Sequence, residues 1–384
     1  MDNCGRCHCP ICFRELDGRL VIDGHVWLVR NCPEHGLVRN MLFAAPAFLA
    51  EAMELIDAQP PAARRTCLVA EVTERCDVGC ATCSASSTMV GDEQDAPDLV
   101  VSILRQAAAI GADVVALSGG EPLMRSDLWD IVDALHRTIS KIVIITSGRG
   151  FETNPAILAG IAARAQWLEI YLQFDSLRDE ILVALRTPDM TAKIRRERLK
   201  LAIDTGAATT AVCVIPQDST EQAVGELALF CRDGGAAGVS FQPLRRLGRH
   251  PSSSAVAGPI STIDHIQGSA LKALGVADAR PRPFAQQPLD MSVAFVRGAE
   301  AEVRDRFFTE CRQRDVFRVA TSSYWDFTNY FAPFAGSGLY YFHVGAGQPL
   351  NGRYFDAVLS ERAPSTPIGG LPLDAQALSR NPAP

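Results

Sequence analysis

Residues 76 to 83 read Cys-Asp-Val-Gly-Cys-Ala-Thr-Cys and place three thiols, Cys76, Cys80 and Cys83, within eight positions. A cubane iron–sulfur cluster has four irons to ligate, and an ordinary electron carrier satisfies them with four cysteines. Three leave one iron open to another ligand. Gly79, inside the loop, permits the tight turn that such short spacings require. A zinc site would need a fourth Cys or His nearby, and the next histidine along the chain is His136.

A second group lies near the N-terminus. "CPIC" (9 to 12) and "CPEHG" (32 to 36) form two turns on either side of the hairpin-like "LDGRLVIDGHVWLVRN". This pattern suits a tetrahedral zinc or single iron ion held by Cys9, Cys12, Cys32 and either His35 or one of Cys4 and Cys7. Such closed sites stabilise small folds and do not usually catalyse. The remaining cysteines, Cys67, Cys213, Cys231 and Cys311, are scattered and read as small buried hydrophobes.

The elements that must position these groups follow from the rest of the chain. Of 384 residues, 47% are hydrophobic and 21% charged, enough for one large α/β domain with appendages. No uncharged apolar run reaches membrane-spanning length, and "MDNCGRCHCP" lacks an apolar signal region, so a soluble cytoplasmic protein is expected. The formal charge of −7 argues against nucleic acid as a partner; "RRLGRH" (245 to 250) is the best local basic patch.

From Thr66 onward, strand-like runs ("CLVAEVT", "DVVALS", "KIVIITS", "WLEIYLQF", "TTAVCVI", "GVSFQPL") alternate with helical patterns. Six βα units predict a parallel sheet curved into a partial (β/α)6 TIM-like barrel. The expected organisation is a Cys-rich metal module over 1–45, a helix and linker over 46–65, the barrel over 66–250, and an irregular C-terminal extension and tail over 251–384. The aromatic stretch 324–342 is a candidate cover for the barrel mouth or a contact for an apolar substrate.

The unusual residues fall directly after strands, the end at which barrels build active sites. The three-thiol loop follows the first strand, "SGGEP" (Ser118, Gly119, Gly120, Glu121, Pro122) the second, and Ser147 the third. On the fourth strand, period-two alternation puts Tyr171, Gln173 and Asp175 on one face. Gln173, Asp175 and Ser147 are polar candidates at the lumen, and Val214 and Ile215 apolar ones on the fifth strand.

"CDVGCATC" after a strand, followed by "SGGEP" after the next, resembles the signature of the radical S-adenosylmethionine superfamily. The resemblance implies a 4Fe-4S cluster on Cys76, Cys80 and Cys83, its open iron chelated by the amino and carboxylate groups of S-adenosylmethionine. One electron then cleaves the sulfonium to methionine and a 5′-deoxyadenosyl radical, which abstracts hydrogen from substrate. It further implies that "SGGEP" meets the methionine amine, Gln173 and Asp175 the ribose, and Val214 or Ile215 the adenine. Relatives commonly have an aromatic residue where this chain has Thr82. The N-terminal knuckle, "YLQFDS" and "FQPLRRLGR" resemble the branch containing archaeal tetraether lipid synthase and pterin methyltransferase-like radical enzymes. That branch suggests C–C bond formation or carbon methylation on a small or lipid-like substrate, with flavodoxin or ferredoxin as reductant. Aminocarboxypropyl transfer from the same cofactor is an alternative. A noncatalytic metal-binding protein or electron carrier would leave the open iron and "SGGEP" without a reason.

Overall fold

The computed structural model describes residues 4–9, 14–58, 67–83, 85, 87–216, 219–244, 262–284, 287–302, 316–322 and 340–342. Four antiparallel strands come first, paired in chain order: β1 (Cys4–His8), β2 (Glu15–Ile22), β3 (Val26–Cys32) and β4 (Gly36–Phe43). The turn at Asp23–His25 closes the β2–β3 hairpin and needs the left-handed backbone of Gly24 (φ +81°). Val26, Leu28 and Phe43 pack against Phe48 and Leu49 of α1 (Pro46–Ala58). This unit is fastened to the rest of the chain: the amides of Ala44 and Ala45 donate to the two carboxylate oxygens of buried Asp264, at 3.1 and 2.8 Å.

The larger sheet contains the six strands that the alternation predicts. These are β5 (Cys67–Thr73), β6 (Val114–Gly119), β7 (Lys141–Thr146), β8 (Leu168–Gln173), β9 (Ala208–Ile215) and β10 (Gly238–Pro243), all parallel and adjacent in chain order. Between them run α2 (Ala96–Ile110), α3 (Leu128–His136), α4 (Gly150–Thr153), α5 (Pro155–Ala163), α6 (Asp179–Leu185), α7 (Ala192–Asp204) and α8 (Glu221–Asp233). Successive strand residues face opposite ways. Leu68, Val115, Ile144, Leu172 and Phe241 meet the helices, while Val69, Ala116, Val143, Tyr171 and Val212 line the inner face. Both faces are covered, which is why the strands read as near-continuous apolar runs. Cys67, Cys213 and Cys231 are buried as expected; Cys311 lies outside the described residues.

The C-terminal extension is more regular than its composition indicates. It supplies α9 (Ile263–Ala273), β11 (Pro283–Phe284), β12 (Gln287–Arg297), β13 (Glu300–Glu302), β14 (Phe317–Ser322) and β15 (Tyr340–Phe342). β14 continues the parallel sheet beside β10, β12 pairs antiparallel with β14, and β15 adds to the free edge of β5. The βα rhythm hides this because an antiparallel hairpin strand interrupts it. "RRLGRH" and most of the aromatic stretch 324–342 lie outside the described residues.

Arg318 of β14 reaches across the inner face to Glu169 and Tyr171 of β8 and Thr210 of β9, and Lys141 of β7 closes on the same carboxylate at 2.6 Å. Burial alone would raise the Glu169 pKa, but Arg318 and Lys141 outweigh it and hold the carboxyl at about 2. A compact ionic network therefore ties four strands together within the barrel.

Candidate functional site

The three thiols belong to one loop that the scaffold shapes at several points. Cys76 N–H donates to Thr88 O at 2.7 Å, while the amides of Ala81 and Thr82 donate to Arg186 O and Leu185 O at the end of α6. Thr82 is buried and its hydroxyl donates to Leu185 O at 2.8 Å, so the residue that replaces the usual aromatic pins the loop. Gly79 sits at φ +68° with open space around it, so backbone conformation and not crowding selects glycine. Val78, Cys80 and Met190 are buried together, with Cys76, Cys83 and Ile194 packed against them, so all three thiols of the loop belong to one packed group. Burial pushes the Cys76 thiol up to about 11 and also raises Cys80, which Arg186 opposes. Binding to iron as thiolates would release those protons. The donor set fits a cluster held by three protein sulfurs.

"SGGEP" is clasped to this loop by its backbone. Gly120 N–H donates to Thr73 O at 2.7 Å and Glu121 N–H to Arg75 O at 2.8 Å. A Cβ on Gly119 would lie 2.3 Å from Thr73 O, and one on Gly120 2.1 Å from Arg75 O, so neither position admits a side chain without rearrangement. The glycines thus serve first to let the two loops touch. Glu121 turns inward and is buried: its carboxylate accepts from Thr146 Oγ1 (2.6 Å), Ser147 N (2.8 Å), Ser147 Oγ (2.6 Å) and Leu123 N (3.2 Å). Burial raises its pKa while these four donors pull the other way. Pro122, also buried, begins the 3-10 turn that Glu121 caps. Glu121 and Ser147 bond to each other, which couples the ends of β6 and β7.

At the mouth, one inward-facing position on each of the six strands is half-buried: Glu71, Ser118, Ile145, Gln173, Val214 and Gln242. The next inward positions below them, Val69, Ala116, Val143, Tyr171, Val212 and Ser240, are buried. These positions make a ring of mixed polar and apolar side chains at the strand ends, Glu71 lying on the strand that leads into the three-thiol loop. Ser118 and Gln173 belong to it; Gln173 O and Oε1 accept from Arg195 at 2.7 and 3.3 Å.

Two of the sequence candidates take other positions. Ile215 faces the helices with Val224 and Leu227, because the alternation sends Val214, not Ile215, inward, so of the two apolar candidates on this strand only Val214 lies on the inner face. Asp175 is buried and its carboxylate is engaged by Arg186 at 2.8 and 2.7 Å, by Val214 N–H at 3.1 Å and by Arg195 at 3.5 Å, so both its oxygens have protein partners. Burial would raise the Asp175 pKa, but the two arginines hold it below the usual carboxylate range.

The arginines are the part of the site that sequence reading missed. Arg195 and Arg198 of α7 are buried and both donate to Ser147 O at 3.3 Å, and Arg198 pairs with Glu152 at 2.8 Å. Burial pulls Arg195 down to about 10 against the opposing attraction of Asp175. Arg149 pairs with Asp77 of the thiol loop at 3.5 Å. The signal was weak, since "AKIRRERLKLAID" reads as a charged, solvated helix face.

In the N-terminal unit, Cys9, Cys32 and His35 converge. Their ligand atoms all lie within 4.8 Å of one another, and His35 Nδ1 is 3.6 Å from Cys9 Sγ and 3.5 Å from Cys32 Sγ. The sulfurs are buried and the histidine is exposed, so the site is a closed knuckle near the surface. This suits a tetrahedral ion with one further ligand. Cys12 lies outside the described residues; Cys4 and Cys7 lie on β1 at the register positions of Arg19 and Leu16.

Two family models match the chain. Residues 70–231 match the model of the radical SAM superfamily, and residues 6–44 match the HMPTM N-terminal zinc ribbon domain. The chain therefore carries a radical SAM superfamily domain behind a zinc ribbon. Among curated proteins it is 29% identical over 174 residues to a probable GTP 3′,8-cyclase of Methanothermobacter marburgensis, covering 43% of this chain and 53% of that one. It is 27% identical over 120 residues to the mycofactocin maturase MftC of Mycolicibacterium smegmatis, covering 31% and 30%. The chain spans about half the length of the first of these and less of the second. Among solved structures, methylornithine synthase (PylB) is 15% identical, with 62% of this chain and 70% of that one covered at a TM-score of 0.46.

Proposed function

We propose that this protein is a radical S-adenosylmethionine enzyme that activates an inert C–H bond, in the service of C–C bond formation or carbon methylation. The observation that carries this reading is the three-thiol loop after β5, its cysteines packed in one group, together with a half-buried ring of inward-facing residues at the strand ends. A bound 4Fe-4S cluster would supply the single electron that cleaves the cofactor's sulfonium to give a 5′-deoxyadenosyl radical. The chain's own part is to hold and enclose. Cys76, Cys80 and Cys83 would hold the cluster; Ser118 with the backbone at Gly119 and Gly120 would meet the methionine portion; Gln173 and Val214 would flank the nucleoside. Glu121, Ser147 and Pro122 fix the loops that carry these contacts.

The choice of carbon–carbon chemistry rests on the ribbon and the strand motifs; the relatives named cyclase and maturase agree with a radical reaction without specifying this one. A small or lipid-like substrate and a flavodoxin- or ferredoxin-like reductant belong to the same reading. Among the described residues no helix is long and apolar enough to cross a membrane.

The test is anaerobic reconstitution with iron and sulfide, then incubation with S-adenosylmethionine and a strong reductant, comparing the native chain with Cys80→Ala. The native chain is expected to form 5′-deoxyadenosine, and Cys80→Ala only background. Methylthioadenosine in its place would redirect the reading to aminocarboxypropyl transfer. A native chain that assembles no cluster would refute the proposal.

A further inference from the structure

Among the described residues, Asp175 is the one non-glycine with positive φ, at +65°. A left-handed backbone is costly for an L residue and persists where its surroundings over-determine it. Those surroundings centre on one side chain. Arg186, buried at the end of α6, donates from Nε and Nη2 to the two carboxylate oxygens of Asp175. It also donates from Nη1 to Thr82 O at 3.1 Å and forms a side-chain hydrogen bond with Cys80. Its carbonyl accepts the amide of Ala81. One guanidinium thus spans the turn after β8 and the central thiol of the loop after β5.

Stability alone accounts poorly for this arrangement. A buried ion pair gains little net free energy, because desolvation offsets most of the attraction. Hydrogen bonds to cluster sulfurs, by contrast, are among the terms that set an iron–sulfur potential, as are local charge and solvent exposure.

We propose that Arg186 is a positioning residue for the iron–sulfur centre: anchored by Asp175, it fixes Cys80 and gives its sulfur a buried donor and a neighbouring positive charge, setting the reduction potential of the bound cluster. This rests on the radical S-adenosylmethionine reading above. A cation beside the sulfur stabilises the reduced, more negative cluster, so its loss makes reduction harder. The Asp175 carboxylate acts in the opposite sense.

The experiment is a redox titration of the reconstituted full-length protein, followed by electron paramagnetic resonance, with iron and sulfide measured for each sample. Loaded Arg186→Gln is expected to show a reduction equilibrium about tenfold less favourable, a fall of about 59 mV for one electron. Asp175→Asn, which keeps the guanidinium, is expected to shift the potential upward. Arg186→Lys restores part of the loss. Should Arg186→Gln not fold, the lysine variant replaces it, and its potential must lie below that of the native protein. Native potentials in the loaded variants would overturn the proposal. So would shifts of one sign in Arg186→Gln and Asp175→Asn, which would indicate a loosened loop and no charge effect. A native chain that takes up no cluster fails the functional reading instead, so the two failures are distinguishable.

Discussion

The two cysteine centres of this protein are built in opposite ways. In the ribbon, Cys9, Cys32 and His35 come from two turns separated by a hairpin and lie within 4.8 Å of one another. Among the described residues an exposed Arg14–Glu34 ion pair also links those turns, and an ion held by Cys9, Cys32 and His35 would stabilise the small fold directly. In the barrel, three cysteines come from one short loop, and the surroundings shape it: α6 receives its amides, the "SGGEP" backbone clasps its start, and Arg186 reaches Cys80. A site whose metal must keep an open position needs geometry supplied by the protein. Its shape should therefore depend less on the ion and more on the sheet beneath it.

The largest expected effect that tests this contrast is in the ribbon. Cys32→Ser should lose the ribbon ion and with it the hydrogen-exchange protection of β1 to β4, since structural zinc contributes about 10–16 kcal/mol in zinc-finger peptides. The barrel cluster should still assemble, as iron analysis would show. Loss of both centres would mean that they are coupled through Asp264, and the contrast would fail. Next comes the network beneath the barrel site. Glu169→Gln leaves Arg318 and Lys141 without their carboxylate and should cost about 3–5 kcal/mol in urea unfolding. The folded Glu169 pKa of about 2 lies below its ordinary 4.5. Its contribution is thus fully present above about pH 5 and is lost as pH falls through 4.5 toward 2. The gap between native and variant should close over that window; a gap that stays constant would count against the ionic network. The smallest effect belongs to the clasp. Gly120→Ala forces a methyl toward Arg75 O and should destabilise by about 1–3 kcal/mol. It should also lower iron incorporation at the barrel site while leaving the ribbon ion in place, a split that metal analysis of one preparation can read.

Much of the site was legible because its chemistry is local. Cysteine spacing sets three thiols within eight residues, and "SGGEP" is readable because only glycine tolerates the approach of Thr73 and Arg75. The six-strand rhythm was visible because strands buried on both faces are apolar throughout. Face assignment at strand ends was less reliable. Alternation placed Gln173 correctly on the inner face, whereas Ile215 points toward the helices and its neighbour Val214 lies on the inner face. Asp175 lies just past the end of β8 and turns into the left-handed region, where the alternation rule no longer applies.

The sequence by itself determined the two clusters of candidate metal ligands and the order of the parallel strands, because each depends on neighbours within a few positions or on a repeating period. Only the tertiary structure decided that Arg186, Arg195 and Arg318 are buried partners of Asp175 and Glu169, and that β12 and β14 extend the sheet. An arginine on a helix or strand looks the same in sequence whether its guanidinium meets water or a carboxylate, here as far as 149 residues away along the chain. Burial brings such partners together, and burial is a property of the folded whole.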